Sequence, residues 1–173
     1  MLRKTALALV ALSLPLTVSA NNWSVGGGYL NFSNDSDGID VSLGSLYGSV
    51  AYIYQTEHKK FSIVPELKLG TGISDDSVRL YGTKVDVELE RFVNFSVKAQ
   101  YDVTDQVFVF VMPSYANAKI EASVGGFSES DSEWEFGVGT GIGYQFNAQT
   151  DVALSYEKFD DTDVISAGFN YSF

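Results

Sequence analysis

The chain has 173 residues, with 22 acidic and 11 basic side chains, a formal net charge of −11, and no cysteine. Such acidity excludes nucleic-acid binding by phosphate neutralisation, which needs clustered Lys and Arg. The absence of cysteine excludes disulfides and thiol chemistry, so the fold must rest on burial and backbone hydrogen bonds.

At the amino end, Arg3 and Lys4 precede an apolar stretch from Thr5 to Val18, and Val18-Ser19-Ala20 closes it. A charged start, an apolar core and small residues at a cleavage position form the pattern of a secretory signal peptide. The apolar core is short for a spanning helix, which takes about 20 residues. Residues 1–20 are therefore expected to be removed between Ala20 and Asn21, leaving one domain over 21–173. That mature chain keeps all 22 acidic residues and loses Arg3 and Lys4, which makes its formal charge −13. No later run is long and apolar enough for a transmembrane helix. A membrane-spanning chain of this kind has one other solution, a closed barrel that pairs every backbone N–H and C=O.

The periodicity predicts eight strands, near 22–33, 43–56, 60–74, 85–101, 106–120, 132–147, 150–159 and 162–173. In the first, Trp23, Val25 and Tyr29 share a face, and in the second Leu46, Val50, Tyr52 and Tyr54 do so. The third sorts Phe61, Ile63, Pro65, Leu67, Leu69 and Ile73 from Ser62, Glu66, Lys68, Gly70 and Gly72. The fourth sorts Val93, Phe95, Val97, Ala99 and Tyr101 from Asn94, Ser96, Lys98 and Gln100. The fifth, Val107-Phe108-Val109-Phe110-Val111-Met112, is apolar on both faces; its valines are expected outward and Phe108, Phe110 and Met112 inward. Pro65 and Pro113 each remove a ladder donor, so a bulge or distorted pair is expected beside each.

The sixth strand is the clearest. Trp134, Phe136, Val138, Thr140, Ile142, Tyr144 and Phe146 alternate with Glu133, Glu135, Gly137, Gly139, Gly141, Gly143 and Gln145. Aromatics cap both ends of an aliphatic middle, and the opposite face carries glycines suited to a narrow bore. A glycine-rich phosphate loop fails as a reading of Gly137 to Gly143, because the spacing is strictly alternate and no helix follows. The seventh strand opposes Val152, Leu154 and Tyr156 to Ala153, Ser155 and Glu157. The last runs Ile165, Ala167, Phe169, Tyr171, Phe173 against Ser166, Gly168, Asn170 and Ser172. A soluble lipocalin-type barrel would invert this polarity, with its apolar rows lining a ligand cavity.

The turns at 57–60, 103–105 and 147–149 are tight and polar, while 34–42, 75–84 and 121–131 are longer and rich in Asp, Ser and Gly; the fourth, 160–162, is short. Short turns on one side and longer loops on the other suit the periplasmic and extracellular ends of a barrel. The Gly-rich strand ending Gly143-Tyr144-Gln145-Phe146, the turns Tyr101-Asp102-Val103-Thr104-Asp105 and Gln145-Phe146-Asn147-Ala148-Gln149, and the terminal Phe169-Asn170-Tyr171-Ser172-Phe173 carry a family resemblance. The chain resembles the outer-membrane β-barrel domain family and is similar to the transmembrane half of outer membrane protein A and to OmpX-type barrels. The resemblance implies an all-β, eight-stranded antiparallel up-and-down transmembrane barrel in the outer membrane of a Gram-negative bacterium. It further implies that Phe173, with Tyr171 and Phe169, signals to the barrel-assembly machinery during biogenesis. A peptidoglycan-binding domain after Phe173 is not expected, so a cell-wall tether is not among what the resemblance implies.

Sorting by face puts Glu66, Lys68, Lys98, Glu135 and Glu157 in the lumen, with Glu88, Glu90 and Glu133 nearer the outer mouth. Isolated charges there would cost several kcal/mol each, so Lys68 and Lys98 are expected either to bridge the three carboxylates in a plug or to stand as solvated side chains in a wet interior. Arg91 falls outward at the upper end of its strand, at headgroup level, where an outward Arg costs close to nothing. With Arg79 and Lys84 it is a candidate contact to lipopolysaccharide phosphates. The run Asn34-Asp35-Ser36-Asp37-Gly38 lacks the closing glutamate and flanking helices of a calcium loop.

The only histidine, His58, sits in a periplasmic turn beside Lys59 and Lys60, without the serine that acyl transfer would need. The expected function is a non-enzymatic structural barrel, without catalytic residue, metal or cofactor. It would be a monomer whose partners are outer-membrane lipids and lipopolysaccharide, with surface loops available for interaction. A narrow channel or carrier for small or apolar compounds is the first alternative, and a lipid A-modifying enzyme the second.

Overall fold

The computed structural model describes residues 22–36, 39–74, 76–80, 83–124 and 127–173. The expected cleavage site at Ala20–Asn21 lies outside them. Ten strand segments follow in order: β1 (Trp23–Ser36), β2 (Ile39–Tyr52), β3 (Tyr54–Gln55), β4 (Phe61–Gly72), β5 (Asp76–Leu80), β6 (Thr83–Asp102), β7 (Val107–Val124), β8 (Phe127–Asn147), β9 (Thr150–Phe159) and β10 (Thr162–Ser172). They make eight staves, because β3 continues β2 and β5 continues β4. Each stave pairs antiparallel with its neighbour, and β1 pairs with β10 from Ser24↔Ser172 to Asn34↔Thr162, which closes the barrel.

One row of cross-strand partners shows how the barrel is built. It starts at Ser24 and passes through Ala51, Glu66, Ser96, Ser114, Gly137, Phe159 and Thr162. It returns to β1 at Asn34, ten residues beyond its start. That stagger goes with strand tilts of roughly 35–45°. Six of the seven residues from Ser24 to Phe159 in this row are small or polar enough to share a narrow bore, and Ser24, Ala51, Glu66, Ser96, Ser114 and Phe159 are buried.

The opposite parity faces outward. Val25, Leu46, Leu69, Val97, Val111, Val138, Ile142, Leu154 and Ile165 are between one third and three fifths exposed. Aromatics ring both ends of this apolar band. Phe95 and Tyr115 stack on Trp134 at the upper end, and Trp23–Tyr52, Tyr144–Phe146 and Tyr171–Phe173 meet at the lower end. Two aromatic girdles around an aliphatic band are what a bilayer with two interfaces selects.

The lower turns are closed by their own side chains. Thr104 Oγ1 accepts from the N–H groups of Gln106 and Val107, and Asn147 Oδ1 accepts from those of Gln149 and Thr150. These local bonds replace ladder partners that a tight turn cannot supply.

Three features depart from the sequence expectations. First, the segments expected as loops at 34–42, 75–84 and 121–131 are largely strand. The β1–β2 pairing continues to Ser36↔Ile39, β5 pairs with β6 to Leu80↔Thr83, and β7 with β8 to Val124↔Phe127. Their polar composition reflects water on both faces, because β9 ends at Phe159, opposite Gly137, and β8 continues past it. Second, of the two outcomes expected at the prolines, the structure has the distorted pair and not the bulge: each leaves a gap in the ladder without shifting its register. β2–β4 pairing stops at Ala51↔Glu66 and resumes as β3–β4 at Tyr54↔Ile63; β6–β7 pairing stops at Ser96↔Ser114 and resumes at Ala99↔Val111. Each gap faces a proline nitrogen with no hydrogen to donate.

Third, β6 carries a bulge between Leu89 and Arg91 that leaves Glu90 unpaired. One extra residue reverses the side-chain parity beyond it. Val85, Val87 and Leu89 therefore face the mouth, and Glu88 lies opposite Glu121 on the outer face. Glu88 and Glu90 do lie toward the outer mouth, as expected, but the bulge turns Glu88 to the outer face. Glu90 pairs with Lys119, whose hydrogen bond holds the carboxyl below its usual range.

Candidate functional site: the interior and the outer mouth

The bore is filled in three layers. The lowest comes from β7: Phe108, Phe110 and Met112 all point inward and are at most 6% exposed, while Val109 and Val111 face out. They stand opposite Gly143, Gly141 and Gly139 on β8. Those glycines are the space the rings occupy: a Cβ on Gly143 would lie 2.0 Å from Phe108 Cζ, and one on Gly141 would lie 2.2 Å from Phe110 Cζ. The alternating glycines of the sixth predicted strand thus have a packing cause.

The middle layer is ionic. Lys68 Nζ lies 3.2 Å from Glu157 Oε1 and 3.7 Å from Glu66 Oε2. Lys98 Nζ lies 2.9 Å from the same Glu66 oxygen. Asn94 donates from Nδ2 to Glu157 Oε2 at 3.1 Å, so both oxygens of that carboxylate are engaged. Lys68 also sits 5.7 Å from the centre of the Tyr47 ring, and Lys98 5.3 Å from that of Phe110, within cation–π range. Glu66, Lys68, Asn94 and Glu157 are at most 5% exposed. Buried charges persist only when paired. Lys68 and Glu157 are both paired and hydrogen-bonded, while Glu66 is held by two lysines and Asn94 Oδ1 is left without a hydrogen-bond partner among the described residues.

The upper layer is apolar: Leu30, Phe32, Leu43, Leu89, Phe92, Ala116, Phe159 and Val164 form one buried cluster. Above it opens the mouth, walled on one side by Asp131, Glu133 and Glu135 of β8.

Of the five candidate lumen charges, the structure brings together Glu66, Lys68, Lys98 and Glu157. Glu135 stands apart: its register partner is Ala116, it lies two residues beyond the last β8–β9 pair, and its electrostatic neighbours are Asp160, Glu133 and Asp161. Glu135 shares the parity of Gly137 and Gly139, but the barrel's stagger carries that end of β8 upward and out of the ion cluster. Asn94 and Tyr47 belong to the cluster and were not singled out. Their inward parity was readable, since each shares a face with residues such as Lys98 or Ser49.

Arg91 is exposed on the outer face, opposite Lys119. Arg79 and Lys84 are register partners in the β5–β6 pair, and their side chains lie outside the described residues. Phe169 and Tyr171 are 49% and 37% exposed on the lipid face, and the N–H of Phe173 donates to Trp23 O at 3.0 Å. His58 is exposed in the lower turn, where its carbonyl accepts from the Phe61 N–H.

A closed antiparallel barrel with a lipid-compatible exterior and an ionic interior defines an outer-membrane barrel protein. The comparison with protein families agrees: residues 5–173 match the Outer membrane protein beta-barrel domain. The chain belongs to that family, and its place is the outer membrane of a Gram-negative bacterium. Among solved structures, it is similar to the attachment invasion locus protein Ail of Yersinia pestis, crystallised with the heparin analogue sucrose octasulfate, at 17% identity and a TM-score of 0.63. That alignment covers 89% of this chain and 99% of Ail. Neisserial surface protein A matches at 14% identity and a TM-score of 0.61, over 87% of this chain and 97% of that one. The N-terminal barrel of Pseudomonas aeruginosa OprF matches at 11% identity and a TM-score of 0.54, over 89% and 98%. At these identities the likeness is one of fold. No curated protein matches this chain.

Proposed function

We propose that this protein is a sealed, non-enzymatic structural barrel that stabilises the outer membrane and presents an acidic extracellular surface. The observation that carries this reading is the interior itself. An aromatic layer, an ion cluster and an apolar layer lie one above another, and their side chains are nearly all buried. Water or solute crossing this bore would have to part Lys68 from Glu157 and displace Phe108 and Phe110. That argues against the channel reading, and it turns the inward aromatics from a carrier's lining into a plug.

The enzyme reading finds little support in the disposition of His58, which is exposed at a lower turn far from the interior carboxylates. Phe169, Tyr171 and Phe173 remain the proposed assembly signal, and the protein is proposed to act as a monomer. Arg91 is the proposed contact to lipopolysaccharide phosphates, helped by Lys119 across the strand pair and, by sequence, by Arg79 and Lys84. A polyanion such as the one in the Ail structure is a poor candidate for the outer surface here. Sixteen of the 22 acidic residues but only five of the 11 basic ones fall in segments 34–42, 75–91, 119–135 and 158–163.

The test is conductance. Protein purified from outer membranes, with an intact mass matching a chain that starts at the proposed Asn21, is incorporated into planar bilayers. No steady unitary current above the bare bilayer is expected. A long-lived open level in each insertion would replace the sealed barrel with a channel.

A further inference from the structure

The upper apolar layer does not end flush with the barrel rim. It floors a pocket of about 200 Å³ whose base includes Phe32, Leu43, Leu89, Phe92 and Phe159. All five are less than a tenth exposed, and Phe32 and Phe92 meet edge to face at 5.0 Å. Asp131, Glu133 and Glu135 stand along one wall. They alternate along β8 on one face, above the level where β9 stops. Among the described residues, none of the ion pairs involves Asp131, Glu133 or Glu135. The charged neighbours that act on Glu135 are Asp160, Glu133 and Asp161, all of its own sign.

We propose that this mouth binds a small organic cation with an apolar body: a protonated or quaternary amine on an aryl or short alkyl group. The apolar floor removes the body from water, and the ring faces and carboxylates draw the cationic head. A neutral ligand of the same shape gains only the first contribution, and an anion is repelled by the wall. The volume lies below the roughly 300–1,000 Å³ of drug-sized pockets, so the ligand has on the order of ten non-hydrogen atoms. The floor closes the route downward, which makes this a site of capture at the cell surface. The inference rests on the mouth and its closed floor, and its binding test is separate from the conductance test.

The test uses the full mature protein in lipid nanodiscs, titrated with benzyltrimethylammonium and, separately, with benzenesulfonate. Saturable binding of the cation is expected, with amide chemical-shift changes confined to the mouth. Glu133→Gln combined with Glu135→Gln should weaken it about tenfold, or ~1.4 kcal/mol. Ala118→Trp, which fills the pocket from β7, should abolish it. Should that variant fail to assemble, the glutamine pair decides alone. Equal binding of benzenesulfonate, unchanged affinity in the glutamine pair, or no saturable binding of the cation would each overturn the proposal.

Discussion

Replacing Lys68 with methionine is expected to destabilise the barrel by about 3–5 kcal/mol, the usual cost of stranding a buried partner. Methionine matches the length of the aliphatic stem, so packing changes little and the loss is electrostatic. Glu157 would keep the Asn94 amide at 3.1 Å but lose its only described cation, while Glu66 would still have Lys98 at 2.9 Å. A second substitution, Glu157→Gln, should therefore restore a good part of the loss when added to Lys68→Met. Alone, it should be costly, because it leaves Lys68 dependent on Glu66 at 3.7 Å. Urea-driven unfolding in lipid vesicles, read by tryptophan fluorescence and by the gel shift of the folded form, gives all four corners of the cycle. Additive losses would mean that the interior charges are solvated individually and that no ionic plug exists.

The second large effect concerns the lower layer. Phe108→Ala should cost about 3–5 kcal/mol, because it opens a cavity among rings and glycines that cannot close over it. Gly143→Ala should cost about 1–3 kcal/mol by overpacking, since the three nearest atoms to its new Cβ all belong to the Phe108 ring, at 2.0 to 2.5 Å. The two changes relieve one another: the added methyl occupies space that the lost ring vacates. The double variant should be clearly more stable than the sum of the single losses implies, in the same unfolding measurement. A coupling near zero would mean that Phe108 does not point at Gly143, and the inward orientation of β7 would be lost with it.

That orientation marks where the sequence runs out. In β6, β8 and β10 the two faces differ in polarity, so alternation alone sorts lipid from bore. In β7 both rows are apolar, and only the glycines opposite on β8 decide which row fits inside. Those glycines were visible, but which strand would stand opposite them at which register was not. The bulge at Glu90 left no mark either, because Glu88, Glu90 and Arg91 are acceptable on either face of a strand that has left the membrane. The extracellular hairpins were masked by a different effect. A strand with water on both sides loses the amphipathic contrast that makes strands legible, so Asp- and Ser-rich ribbon resembled loop. Glu135 shows the limit of face assignment: parity placed it inward, but its height depends on a stagger of ten residues that only closure of the barrel defines.

The central claim is that odd and even side chains meet different media and that the inner medium is closed to bulk water. The chain has no native cysteine, so single-cysteine labelling is clean. Ser96→Cys and Ser114→Cys probe the bore; Val97→Cys and Val138→Cys probe the outer face at neighbouring levels. In sealed vesicles, a membrane-impermeant maleimide added to both compartments should leave all four unlabelled. A lipid-soluble maleimide should react with the two outward positions alone. Rapid labelling of Ser96→Cys or Ser114→Cys by the impermeant reagent would show an open aqueous bore and contradict the account.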